Sequence, residues 1–315
     1  MSKMSTETTK TQLAGATMGT RWSVIIDGPD APKTPALQAA LQQAVQDVDT
    51  QMSTWTDTSD LMRLNAAPVG AWVTLPQHLI HVLKTGLALS EATQGAFEMN
   101  VGSAVRAWGF GAGQIDLTAI RAASNASRIS ATDALRLDED NLRARKSAPL
   151  ALDLSGIAKG YGVDRLAAIA GGFGIRHALC AIDGEVRAVG TQANGAPWAV
   201  AIETPDAPDR APLSVTTVED CAIATSGDYR HFVEVKGHRL SHTIDPRRGT
   251  PLVTAPASVT VIMQNCAQAD AMATALMVMG QEAGLAFARA NGISALFVMR
   301  EGQGFQSSGS GVFAA

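Results

Sequence analysis

Extended apolar runs crowd the second half of this chain more densely than a repeating strand-helix-strand pattern allows. Residues 150–154, 178–182, 186–189, 198–203, 258–263 and 294–299 are short, apolar or β-branched, and bounded by turn formers, as strands are. Helical periodicity is confined to 157–170, 268–279 and 282–290, with Gly280 as the stop between the last two. Strands therefore outnumber helices and no fixed repeat is present, which predicts an α+β fold of mixed sheets with packed helices and argues against a doubly wound sheet.

The first half is sparser. Residues 21–26 (RWSVII) read as a strand closed by the turn Asp27-Gly28-Pro29, and 72–75 as extended. Between 35 and 50, Leu37, Ala40, Leu41, Ala44, Val45 and Val48 recur at helical spacing, and 79–92 is a second helix ended by Thr93-Gln94-Gly95. The glycine- and ring-rich segment 95–113 reads as a pocket-lining loop. Residues 1–16 are expected to be a disordered tail and 17–315 a single domain, with a lobe boundary near the polar stretch 124–148.

Composition narrows the function classes. With 46% hydrophobic residues over 315 positions the chain buries a sizeable core. Its 25 Lys+Arg against 29 Asp+Glu leave a net charge of -4, which argues against broad attachment to nucleic acid or anionic lipid. Cys180, Cys221 and Cys266 are too few and too scattered for a disulfide framework or a zinc site, and read as packed thiols. The polar start carries no secretory or lipid-attachment signal, and no uninterrupted apolar run reaches membrane-spanning length. The expected location is cytoplasmic, or periplasmic if a leader has been removed.

The densest chemistry lies in 152–164, LDLSGIAKGYGVD. A helix opening at Ser155-Gly156 would offer free N–H groups and a positive dipole end to a phosphate, and Lys159 would add a point charge. An ordinary capped helix with packing glycines at 160 and 162 reads equally well, since the run matches neither common glycine-rich phosphate pattern. In 268–280, QADAMATALMVMG, Asp270 and Thr274 are four apart, so a carboxylate and a hydroxyl share one helix face. Hard oxygens so placed suit magnesium, but two of them do not define an octahedral site, and a hydroxyl bonded back to its own helix is the alternative. Within 225–251, a hairpin turning at Lys236-Gly237 delivers His242, a residue able to act as general base near neutral pH. His231 and His238 share that stretch, and at least two of the three are incidental. Asp183-Gly184-Glu185 reads as a tight strand connection.

Jointly these segments resemble the ApbE family, the FAD:protein FMN transferases. The resemblance rests on MGT (18–20), MSTW (52–55), GAFE (95–98), WGFG (108–111), DLSGIAKGYGVD (153–164), DGE (183–185), TSGDY (225–229), HTIDPRRGTP (242–251) and ADAMATAL (269–276). Each part is weak alone, and their shared order is specific. The resemblance implies a two-lobed architecture with the flavin site between the lobes. It further implies magnesium-dependent transfer of the FMN half of FAD to a threonine hydroxyl of an acceptor redox flavoprotein, with release of AMP. It places the metal on Asp270, Thr274 and the backbone carbonyl of Ala158. FAD would lie among Met18, Ser53, Thr54, Trp55, Glu98, Ser155, Lys159, Asp183, Gly184, Glu185 and Thr225, with His242 assisting the attacking hydroxyl. Two departures stand out: Glu98 replaces an expected aspartate, and Asp183-Gly184-Glu185 replaces a more usual glycine pair before an acidic residue. An FAD pyrophosphatase, a non-catalytic flavin-binding protein and a docking partner for redox assembly are the alternatives.

Overall fold

The computed structural model describes residues 10–28, 35–112, 114–125, 129–207, 211–229, 232–235, 238–253, 255–302 and 304–314. Pro29, Gly113, residues 126–128, His231 and the Lys236-Gly237 turn lie outside the described residues, as does the His238 side chain.

Eight strands form the main sheet: β1 (Lys10–Thr17), β2 (Thr20–Asp27), β3 (Ala178–Ile182), β4 (Glu185–Val189), β5 (Ala222–Gly227), β6 (Ser258–Met263), β7 (Ser294–Glu301) and β8 (Gly304–Ser310). Their order in space follows their order in the chain. Every pairing is antiparallel, so the fold is α+β as expected while its sheets are not mixed in direction. β1 and β2 join through Met18 (φ 44°) and Gly19 (φ 70°), two positive-φ residues whose twist matches that of the flanking strands. Four long helices pack on this frame: α1 (Pro35–Met52), α2 (Gln77–Ala92), α3 (Ala158–Gly172) and α4 (Cys266–Ala290).

Strand alternation decides which side chain meets which layer. Trp22, Val24 and Ile26 of β2 and Ala178, Cys180 and Ile182 of β3 point at Leu37, Leu41 and Val45 of α1 and at Leu166 of α3. The opposite face is covered by a two-stranded hairpin, Trp198–Glu203 with Pro212–Val218, whose Trp198, Ile202 and Val218 pack on Ala188, Ile223, Leu296 and Val298. A larger core joins α2 and α4 to Val259, Val261 and Phe297. The same core takes in Ala131, Ala134, Leu135 and Ala144 from the polar stretch 124–148, which supplies two strands of a three-stranded sheet.

α4 is, among the described helices, long and apolar enough by length and composition to cross a membrane, a property that the uninterrupted-run reading passed over. Its apolar side chains are spent on the protein core, it carries Asp270 within that core, and Gly280 (φ 76°, ψ 176°) breaks it at the residue where the sequence predicts a stop. Cys180 and Cys266 are buried and Cys221 half-buried, all as free thiols.

Three local expectations are corrected. Residues 10–16, read as part of a tail, form β1: polar composition hides a strand whose edge pairs along β2 and whose Gly15 leaves the space that a Cβ would contest with Gln42 Oε1 at 2.3 Å and Trp22 Nε1 at 2.5 Å. Residues 150–154 join no ladder. Their backbone is held partly by side-chain amides, Asn100 accepting from Ala151 N–H and Asn65 from Leu152 N–H, each at 2.8 Å, and partly by the 99–102 backbone, with Asp153 N–H donating to Met99 O and Gly102 N–H to Ala151 O, each at 2.8 Å. α3 begins at Ala158 with Ile157 as its cap, not at Ser155; the Ser155 N–H instead donates to Asp153 in a local turn.

Candidate active site

α3 and α4 meet where two glycines remove the side chains that would hold them apart. A Cβ on Gly160 would sit 2.3 Å from the Cys266 carbonyl oxygen, and one on Gly156 3.0 Å from Thr274 Oγ1. The Gly160 N–H donates to Asp270 Oδ2 at 3.0 Å, and Thr274 Oγ1 lies 3.1 Å from Ser226 Oγ. The turn at 156–160, the Asp270 carboxylate and the Thr274 hydroxyl therefore converge on one corner. An N-terminal amide of α3, expected to face a phosphate, is already taken up by this carboxylate. Gly160→Ala forces backbone apart with no flexible side chain to yield, so a loss of about 1–3 kcal/mol is expected in urea denaturation.

Charge concentrates at this corner. Lys159 Nζ lies 3.0 Å from Glu185 Oε1 and 3.9 Å from Asp183 Oδ2. Burial works against the Lys159 charge, but Glu185, Asp270 and Asp183 outweigh it and hold its pKa above the ordinary lysine value. Glu185 is buried, which pushes its pKa up, and its Oε2 has no hydrogen-bond partner. Asp270 is pushed up to about 7, first by burial and then by the nearby Glu185. Asp164 accepts from Cys266 N–H and Ala267 N–H, each at 2.9 Å, and pairs with Arg187. Four carboxylates thus surround two cations, leaving an excess of negative charge. Among the described residues no group of three His, Cys, Asp or Glu side chains could hold a metal, so any cation here would need hydroxyl and carbonyl donors beside Asp270.

The remaining candidates divide by position. Asp183 (φ 52°) and Gly184 make the two-residue β3–β4 turn, beside the Thr225 backbone. Met18 packs where a Cβ on Gly162 would lie 3.0 Å from its methyl. The Thr225 hydroxyl faces away from this corner, to Thr260 at 2.8 Å; its neighbour Ser226 is the residue of TSGDY that reaches Thr274. Ser53 accepts from Trp55 N–H at 3.1 Å, which turns Thr54 and presents the Trp55 ring 65% exposed. Glu98, its pKa raised by burial, accepts from Asn100 N–H at 2.7 Å and Ala131 N–H at 3.0 Å, a scaffold duty on this face of the loop. Ser155 is exposed at the mouth of the 156–160 turn. His242 follows the strand 238–241, its ring edge-on to Phe110 with centroids 6.4 Å apart. The WGFG and HTIDPRRG segments touch again where Trp108 Nε1 donates to Gly249 O at 3.3 Å. Asp164 and Ser226 lie inside recognised motifs, but their partners are distant in sequence and no local spacing announces them.

A cleft of 520 Å³ runs beside Ser103, Arg106 and Asp116, and another of 590 Å³ between Arg247, Arg248 and the Gly280 break. Neither is lined by Asp270, Thr274 or Lys159. Their arginines are exposed, whereas the Asp270 corner holds buried Asp270 and Glu185 carboxylates, the condition under which side chains acquire perturbed chemistry.

Residues 18–297 match the family model described as the ApbE family. The chain is 37% identical to the FAD:protein FMN transferase of Vibrio cholerae, covering 96% of this chain and 91% of that protein. It is 35% identical to the FAD:protein FMN transferase of Klebsiella pneumoniae, covering 95% and 87%. The flavinyl transferase ApbE of Pseudomonas stutzeri, in its apo form, superposes with a TM-score of 0.83 at 35% identity, over 96% of this chain and 95% of its own.

Proposed function

This chain belongs to the ApbE family and is a flavin transferase, and we propose that it moves the FMN half of FAD onto a threonine hydroxyl of an acceptor redox protein, dependent on magnesium. The observation that carries the finer reading is the meeting of Asp270, Thr274 and the 156–160 turn. Asp270, the Thr274 hydroxyl and the Ala158 carbonyl would hold the ion, and the excess of carboxylates fits a divalent cation. The unpartnered Glu185 Oε2 fits the same picture, as an acceptor awaiting a donor. A bound magnesium ion would supply charge neutralisation on the pyrophosphate and polarisation of phosphorus.

The chain's own residues supply the rest. Lys159, kept cationic by its carboxylate neighbours, places fixed positive charge beside the phosphates. The exposed Trp55 ring offers a face for a flavin or adenine ring to stack on. His242 takes the proton from the threonine hydroxyl as its oxygen bonds to the phosphorus of the FMN half. The P–O bond to the bridging oxygen then breaks, and AMP leaves with that oxygen.

Incubation with FAD and magnesium, with and without a co-expressed candidate acceptor, tests the reading. Transfer predicts AMP together with an FMN mass gain on the acceptor. Free FMN formed at equal rate in both tubes would instead identify a pyrophosphatase.

A pH signature follows from Asp270. Its folded pKa, about 7, exceeds its ordinary value of 3.8, so the folded chain binds this proton more tightly than the unfolded chain does. Its contribution to stability is present below the ordinary value and is lost as pH rises through 7. Without divalent cations the melting temperature should therefore fall across that window, and magnesium should raise it far more at pH near 8 than near 5, where the site is protonated. Calorimetric scans at both pH values check this; a magnesium effect independent of pH would remove Asp270 from the site.

A further inference from the structure

α3 grips α4 at two successive turns. Gly160 N–H donates to Asp270, and one turn further along α3 the Asp164 carboxylate accepts from Cys266 N–H and Ala267 N–H. Positions 160 and 164 on one helix thus face 270 and 266 on the other, each pair separated by one turn. Arg187 of β4 donates to Asp164, while two residues earlier on the same strand Glu185 takes Lys159. α3 is tied to β4 by two ion pairs of opposite polarity, and sliding the helix along the strand would bring Lys159 toward Arg187. At the start of α4 the capping is divided: Asn265 accepts from Gln268 N–H at 3.0 Å, and Asp164 takes the Cys266 and Ala267 N–H groups before it. Asp164 comes from another element, and its two hydrogen bonds join the helices.

We infer that Asp164, held by Arg187, is a positioning residue for the cation site: it sets how closely α4 approaches α3, and through that the placement of the Asp270 carboxylate and the Thr274 hydroxyl. This rests on the proposed magnesium site. No part of the assignment requires Asp164 to touch the ion.

The test measures magnesium affinity of the FAD-free protein by titration calorimetry, alongside melting temperature and the magnesium dependence of AMP release. Asp164→Ala should weaken magnesium binding about 10- to 100-fold, the usual cost of losing a group that orients a ligand. Asp164→Asn, which keeps one carbonyl acceptor, should lose less. Asn265→Ala is the control: it removes a cap from the same helix without cutting the tie to α3, so the melting temperature should fall while magnesium affinity stays within about twofold. If Asp164→Ala and Asn265→Ala lower the melting temperature alike and both bind magnesium as the wild type does, the inference is overturned. Should Asp164→Ala fail to fold, unchanged magnesium affinity in both Asp164→Asn and Arg187→Gln overturns it equally. A wild type that neither binds nor responds to magnesium defeats the metal reading first, an outcome distinct from wild-type binding that the variants leave untouched.

Discussion

Asp270→Asn is expected to lower AMP release from FAD by at least about a thousandfold, the scale on which a site loses its central charge stabilisation. The substitution keeps the volume, and its amide oxygen can still accept from Gly160 N–H, so the α3–α4 crossing survives. What disappears is the anionic donor. Stability should move the other way. A buried carboxylate whose pKa is pushed up to about 7 is an energetic burden in its ionised form, and a neutral amide removes that burden. At pH near 8 without divalent cations, the variant should melt at or above the wild-type temperature, and magnesium should no longer raise it. Opposite signs for activity and stability separate a functional carboxylate from a structural one. AMP release within about threefold of wild type would sink the metal assignment.

His242→Ala is expected to slow transfer to the acceptor about 10²- to 10⁴-fold while leaving FAD affinity nearly unchanged, because a general base acts on the nucleophile and not on the dinucleotide. The ring stands edge-on to Phe110 in a segment that also contacts the WGFG loop, so truncation removes one ring from a contact the surrounding loops still support. The pH profile gives a second readout: the limb reporting a group that must be deprotonated should vanish. A fall in FAD affinity equal to the fall in rate would recast His242 as a cofactor contact.

Several elements follow from local pattern alone. Ala178–Ile182, Trp198–Glu203 and Ser258–Met263 appear in the structure with the boundaries their sequence predicts, because each is a short apolar or β-branched run bounded by turn formers. Gly280 ends a helix for the same local reason. β1 is hidden in the sequence because its ladder is supplied by β2, and 150–154 reads as a strand because it is short and apolar, while its backbone is satisfied by the amides of Asn65 and Asn100 and by the 99–102 backbone without joining a sheet. Asp270 and Thr274 share a helix face by spacing, but Ser226, which meets Thr274, comes from a strand 48 residues away, and Asp164 reaches Cys266 across 102.

Sequence by itself determined the periodic elements, the α+β class and the ordered set of motifs that marks the family, since propensity and side-chain period act over a few neighbouring residues. Tertiary structure alone decided that the 156–160 turn meets α4 without side chains between them, that a carboxylate takes the amide expected to greet a phosphate, and that Glu185 is buried with an oxygen unpartnered. Those outcomes depend on contacts between distant segments and on the loss of water around their charges. Neither is written in any one stretch of chain, and both arise only when helices and sheet pack together.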